Sequence, residues 1–171
     1  RALPIPVIAV VHGNCFGGGL QIVLACDYRI AEPTATLSIL EMKWGLIPDM
    51  SGMVTLSRLT RVDIAQELTM TGRFFSGLEG AEYGLISKIS ENPLIEAQAL
   101  AQSICEKSPD AVAAAKFLFK KTWKKDTWKT LLWERLTQLR LFAGKNQRIA
   151  MVNARNKEES LRPFRDRSSF K

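Results

Sequence analysis

The residues of this 171-residue chain best suited to chemistry are a glycine triplet and two acids. Gly17, Gly18 and Gly19 fall between a predicted strand and a predicted helix. Backbone without side chains lets a ligand atom come close, and a helix N-terminus offers unpaired N–H groups and a positive dipole end. The triplet could therefore cradle an oxyanion; a plain tight turn is the alternative that the residue types leave open. It matches neither the GxGxxG fingerprint nor a P-loop, since no Lys-Ser/Thr follows. Glu41 and Asp49 stand in apolar sequence, Ser38-Ile39-Leu40-Glu41-Met42 and Gly45-Leu46-Ile47-Pro48-Asp49-Met50. Acids so placed either pair with a base or take part in proton transfer. Read as structure alone, Glu41 would form a salt bridge and Asp49 would cap the helix beginning near Ser51.

Other chemistries have little to build on. His12 is the only histidine, so no histidine metal pair can be built, and zinc chemistry or a Ser-His-Asp triad has little to stand on. Directly after a strand, it reads as a structural, hydrogen-bonded residue. Cys15 lies near the glycines but has no neighbouring base to activate it. With Cys26 and Cys105 it makes an odd set without CxxC spacing. That usage suits reduced thiols, and a cytoplasmic or other reducing compartment is the expectation. No metal site is expected.

Hydrophobic residues at 46%, charged residues at 24% and a mean hydropathy of −0.04 describe an ordinary globular chain. No run approaches the ~18 apolar residues of a membrane helix, so no membrane partner is expected. The net charge of +7 is unevenly spread. Residues 1–110 carry 8 basic and 12 acidic side chains, and residues 111–171 carry 16 and 5. The basic part could face a polyphosphate ligand, an acidic subunit or only solvent. It lacks aromatic residues interleaved with bases in an RNA-binding pattern, so nucleic acid is not an expected partner.

The elements that must position these residues follow from periodicity. Val7–Val11 is a β-branched run behind two prolines and reads as a strand buried on both faces. Leu20–Cys26 is apolar enough for a buried helix. Tyr28–Ala31 and Ala35–Ile39 read as short strands about the Glu32-Pro33-Thr34 turn. Glu41–Gly52 reads as an ordered loop or short turn. Helices are expected over Ser51–Leu59 and Val62–Met70, and after the Ser76-Gly77-Leu78-Glu79 capping box up to Gly84. Leu85–Ile89 is the last strand expected. Three or four helices follow from Pro93, one capped by Ser108 with Pro109 at its first position. Trp128, Leu132, Leu136, Leu139 and Phe142 form a helical stripe of the kind that builds a core or a subunit interface.

Together these segments resemble the crotonase family, the enoyl-CoA hydratase/isomerase superfamily. The resemblance rests on Ile5-Pro6-Val7-Ile8-Ala9-Val10-Val11-His12-Gly13, the glycine triplet and Ala25-Cys26-Asp27-Tyr28-Arg29-Ile30-Ala31. It continues through Glu41-x-x-x-Gly45-x-x-Pro48-x-x-x-Gly52, Glu67-Leu68-Thr69-Met70-Thr71-Gly72-Arg73, Ala81-x-x-x-Gly84-Leu85-Ile86-Ser87-Lys88-Ile89 and Lys107-Ser108-Pro109. It implies an α/β fold of the ClpP/crotonase type, a spiral of β-β-α units. Residues 1–92 would be the remaining part of that spiral and residues 93–171 a helical segment of the trimerisation type. Family members carry a further N-terminal portion, with part of the CoA site and the other oxyanion-hole amide. A chain opening at Arg1 is thus expected to be the C-terminal part of a domain.

The resemblance also implies roles. Gly18 would donate its N–H to a thioester enolate, with Gly17 beside it on the substrate. Gln21 falls where hydratases place the first of two catalytic glutamates, Glu41 on the second, and Asp49 where dienoyl-CoA isomerases have an acid. Gln21 is the departure. A neutral amide can position water but cannot exchange its proton at neutral pH, whereas one carboxylate suffices to move a double bond. An isomerase-type acyl-CoA enzyme is therefore the expectation, with Glu41 as main acid/base, Asp49 as second and Gln21 as a polar positioning group. Hydration by Glu41 alone, or a catalytically silent acyl-CoA-binding or assembly protein, are the rivals. The expected partners are an acyl-CoA thioester and further copies in a trimer or hexamer; no cofactor is expected beyond the CoA carried by the substrate.

Overall fold

The computed structural model describes residues 3–123, 126–155 and 161–167; Arg1, where the chain opens, lies outside them. By internal packing the chain divides into two compact units. One spans residues 7–101, and the other comprises residues 102–167 together with 3–6.

The first unit is built on two small sheets. Strands β1 (Ile8–Val11), β3 (Tyr28–Ala31) and β6 (Lys88–Ile89) form one, in the order β1-β3-β6 and all parallel. Strands β2 (Asn14–Phe16), β4 (Thr36–Ser38) and β5 (Phe75–Ser76) form the other. There β2 runs parallel to β4 and β5 antiparallel to it. The β-branched run thus forms a strand as expected, but at a sheet edge. Val11 alone is fully buried, and Ile8, Ala9 and Val10 are half-buried. The well-covered strands are the central ones: β3, with Arg29, Ile30 and Ala31 buried, and β4, whose Leu37 and Ser38 are inaccessible to solvent.

Helix α1 (Gly18–Ala25) starts inside the glycine triplet. Its Leu20 and Leu24, four residues apart on one face, enter a core with Leu37, Ile39, Leu56 and Phe75. At the start of Glu41–Gly52, expected as an ordered loop or short turn, lies a 3-10 helix, Leu40–Trp44, closed by Gly45. Helices α2 (Gly52–Leu59), α3 (Val62–Thr71) and α4 (Gly77–Glu82) follow. The capping box at the start of α4 is complete: Ser76 Oγ accepts from Glu79 N–H, and a Glu79 carboxylate oxygen accepts from Ser76 N–H. Leu85–Ser87 is not a strand. The N–H groups of Leu85 and Ile86 both turn back to the Gly80 carbonyl, so the ladder starts only at Lys88. The buried Arg29 binds this stretch with its side chain instead, donating to Leu85 O at 2.7 Å and to Ser87 Oγ at 3.2 Å.

Helix α5 (Pro93–Cys105) spans the division between the units. The second unit contains α6 (Pro109–Thr122), α7 (Thr127–Phe142) and α8 (Lys145–Arg155). Ser108 Oγ caps α6 by accepting from Ala111 N–H. Buried Asn146 joins α8 to Asp110, and its amide both donates to Arg165 O and accepts from Arg165 N–H. The stripe on α7 is not an internal core: Trp128, Leu132, Leu136, Leu139 and Phe142 are each at least half exposed. No described helix is long and apolar enough to cross a membrane.

Candidate active site

The turn into α1 carries the first half of the site. Gly17 adopts φ 51° and ψ −125°, a conformation that an L side chain resists. Its N–H donates to Ser38 O at 3.0 Å, and its carbonyl accepts the Gln21 N–H at 3.0 Å. The next N–H, that of Gly18, opens the helix and has no hydrogen-bond partner among the described residues. An unpaired N–H at the positive end of a helix is chemically able to donate to an anionic oxygen.

Glu41 supplies the second half. The parallel pairing of β2 with β4 sets Phe16 opposite Ser38, which brings the residues after both strands to the same edge. Gln21, almost completely buried, donates through Nε2 to Glu41 Oε1 at 2.5 Å. Its own Oε1 accepts the Met50 N–H at 2.8 Å. Both ends of the amide are thus engaged, which fixes its orientation. The other Glu41 oxygen, Oε2, is buried and has no hydrogen-bond partner in the described structure. A Cβ placed on Gly17 would lie 3.6 Å from Glu41 Oε1, so carboxylate and glycine turn are immediate neighbours.

The structure therefore brings Gly17, Gly18, Gln21 and Glu41 together. Asp49 is solvent-exposed; its carboxylate makes no hydrogen bond or ion pair among the described residues, and only the backbone of the adjacent Met50 joins the group. Neither purely structural reading of the two acids is realised. Glu41 forms no salt bridge among the described residues, and the cap position of α2 is Ser51, without a side-chain cap. His12 is exposed and makes no hydrogen bond among the described residues, contrary to the structural bond expected of it. Burial pushes the Cys15 thiol up from its ordinary value, so it is a poor nucleophile. Among the described residues no cluster of histidine, cysteine and acids could hold a metal ion.

Three contributors escaped sequence reasoning. Met50 acts through its backbone, which no side-chain pattern reports. Gly52 and Pro48 were visible only as members of the Gly45-x-x-Pro48-x-x-x-Gly52 spacing. A Cβ on Gly52 would fall 2.6 Å from Pro48 Cβ and 2.9 Å from Gln21 Oε1, so glycine is what lets this loop close onto the Gln21 amide.

A family model described as enoyl-CoA hydratase/isomerase matches residues 1–164. The carnitinyl-CoA dehydratase of Salmonella typhi is 37% identical over 119 residues, covering 68% of this chain and 46% of that protein. The chain thus spans less than half the length of the curated relative. The crystal structure of an enoyl-CoA hydratase from Bacillus anthracis superposes with a TM-score of 0.84 at 33% identity, covering 90% of this chain and 60% of that one. A Thermobifida fusca YX protein solved in complex with acetoacetyl-CoA gives a TM-score of 0.78 at 32% identity, covering 82% and 56%. With a crotonase-like α/β fold and a matching family model along almost its whole length, the chain belongs to the enoyl-CoA hydratase/isomerase family.

Proposed function

We propose that the protein containing this chain moves a carbon–carbon double bond along the acyl group of an enoyl- or dienoyl-CoA thioester. The observation that carries the reading is the state of Glu41: one oxygen held by a neutral amide, the other buried and without a hydrogen-bond partner among the described residues. That is one carboxylate poised to exchange a proton, not a pair sharing one. A CoA thioester as substrate draws support from the acetoacetyl-CoA complex of the Thermobifida fusca protein.

In this reading Gly18 N–H donates to the thioester oxygen. Glu41 Oε2 removes a proton from C2 of a 3-enoyl-CoA, and the electron pair moves onto the thioester oxygen as an enolate. When the carbonyl re-forms, the C3=C4 double bond becomes C2=C3 and C4 takes the proton from Glu41. One donor in an oxyanion hole is worth ~2.7–4 kcal/mol in the transition state. Gln21 holds Glu41 in place throughout, and solvent-exposed Asp49 takes no part in these steps. No cofactor beyond the substrate's own CoA takes part. The exposed stripe on α7 fits assembly into a homo-oligomer, a trimer or hexamer, in a reducing compartment such as the cytoplasm.

A second reading is favoured by the names of the relatives: addition or elimination of water with Glu41 alone. The test separates the two. The full-length protein is given 3-enoyl-, 3,5-dienoyl- and 2-enoyl-CoA, alone and as Glu41→Gln. Isomerisation that falls by roughly 10²–10⁴ in the variant, with acyl-CoA binding retained, is the expected result. Isomerisation undiminished in Glu41→Gln overturns the assignment. Turnover of 2-enoyl-CoA alone selects the hydratase reading, and inertness towards all three selects a silent acyl-CoA binder.

A further inference from the structure

The two groups required by the proposed reaction come from separate segments, the turn at Gly17–Gly18 and the 3-10 helix Leu40–Trp44. One residue touches the frame of both. Ser38 ends β4 and is inaccessible to solvent. Its carbonyl accepts the Gly17 N–H at 3.0 Å, and its hydroxyl donates to the Gly72 carbonyl at 2.8 Å. Glu41 lies three residues further along the same backbone. A hydroxyl buried between core residues Leu37 and Ile39 is costly unless it is bonded. Here its partner is a fixed point.

Gly72 closes α3 in the left-handed conformation. A Cβ there would lie 3.5 Å from Ile39 O and 3.8 Å from Met42 Cβ, so its backbone packs against the segment carrying Glu41. The following residue, Arg73, is clamped by Glu67 at 2.7 Å, Glu79 at 3.0 Å and the Tyr83 hydroxyl at 3.0 Å. The anchor is thus tied to both α3 and α4.

We propose that Ser38 is a positioning residue, its hydroxyl locking the end of β4 to Gly72 so that the oxyanion turn and Glu41 keep one relative placement. The functional meaning rests on the enolate reaction proposed above; the mechanical claim does not. Misplacing a reacting group by about 1 Å can cost ~10²-fold in rate. Ser38→Ala in the full-length protein should therefore lower kcat by about 10- to 100-fold, with KM for the acyl-CoA and the shape of the pH profile unchanged. Ser38→Cys keeps a weaker donor of similar size and should fall between Ala and the parent; it also serves if the alanine variant does not fold. Thr69→Val is the control: it removes a buried hydroxyl on α3 that has no hydrogen-bond partner among the described residues, and kcat should not change.

Unchanged kcat in a folded Ser38→Ala protein overturns the proposal, as does an effect confined to KM. An equal loss in Thr69→Val also overturns it, because the effect would then be general loosening. If the parent turns over none of the thioesters, the proposed reaction fails, and amide hydrogen exchange decides the positioning claim separately. Exchange at Gly17 and across residues 39–44 should accelerate in Ser38→Ala but not in Thr69→Val; unaltered exchange overturns the claim.

Discussion

Replacing Gly52 with alanine tests how closely the loop after Pro48 is seated on the Gln21 amide. The new Cβ would stand 2.6 Å from Pro48 Cβ and 2.9 Å from Gln21 Oε1, closer than real Cβ contacts allow. Two effects oppose each other. Gly52 is the first residue of α2 and has no left-handed φ, so alanine gains helix propensity, at most ~1 kcal/mol and less at a helix end. Against this, overpacking costs about 1–3 kcal/mol. The Met50–Gln21 hydrogen bond, worth about 1 kcal/mol, must also lengthen or break. Destabilisation wins by roughly 1–3 kcal/mol, which for a chain of this size lowers Tm by about 2–12 °C. Thermal unfolding of the full-length protein reads this shift. Turnover should fall as well, by about 10-fold or more, because the displaced Gln21 no longer holds Glu41. Gly19→Ala is the comparison, since a Cβ there meets nothing within 4 Å, and its Tm should stay within about 2 °C of the parent or rise. A Gly52→Ala protein that melts with the parent and keeps its turnover would refute the close approach and its role.

Gln21→Glu places a second carboxylate against Glu41, where an N–H now donates at 2.5 Å. Two acids at that distance must share a proton, and hydration of 2-enoyl-CoA should appear or rise; no gain in a folded variant would show that Gln21 does not decide the reaction. The Ser76 N–H, and then Arg73, hold the Glu79 carboxyl below the usual glutamate range. A folded value below the unfolded one stabilises above about pH 4.5 and is lost as pH falls through the depressed value. Glu79→Gln should therefore lower Tm at pH 7, and the gap should close on acidification; a gap independent of pH would contradict the pairing. Cys15, half-buried with its thiol pushed up by burial, should react with iodoacetamide several-fold more slowly than exposed Cys105 at pH 8, as read by peptide mass mapping. Equal rates would count against the burial of Cys15.

What was legible in the chain was whatever local chemistry writes into it. The glycine triplet between an apolar strand and an apolar helix marked the start of α1, and the Ser76–Glu79 spacing marked α4. Short pairings were not legible. Asn14–Phe16 is three residues long and follows the His12-Gly13 end of the first strand without a strand pattern of its own, yet β4 recruits it as a strand. Leu85–Ser87 has strand composition, but the Gly80 carbonyl takes two of its N–H groups. Edge burial of β1 was also hidden, because a β-branched run does not say how many neighbours its strand has. In the site, residue types pointed to the glycine triplet, Glu41 and Asp49, and only the family resemblance singled out Gly18. The bond from Gln21 to Glu41 joins residues twenty apart, and the contribution of Met50 is a backbone N–H. Both arise from tertiary placement, which periodicity does not encode.

The doubly engaged Gln21 amide has a stereochemical consequence. Because Nε2 is a donor, the Glu41 oxygen facing it must accept, whatever the protonation state of the acid. A proton carried by Glu41 can then reside only on Oε2. In the proposed reaction a single oxygen both takes and returns the proton, so abstraction and delivery occur on the same face of the planar enolate. A deuterium placed stereospecifically at C2 should therefore reappear in part at C4 on that same face. The fraction retained would measure how long Glu41 holds the label before solvent replaces it.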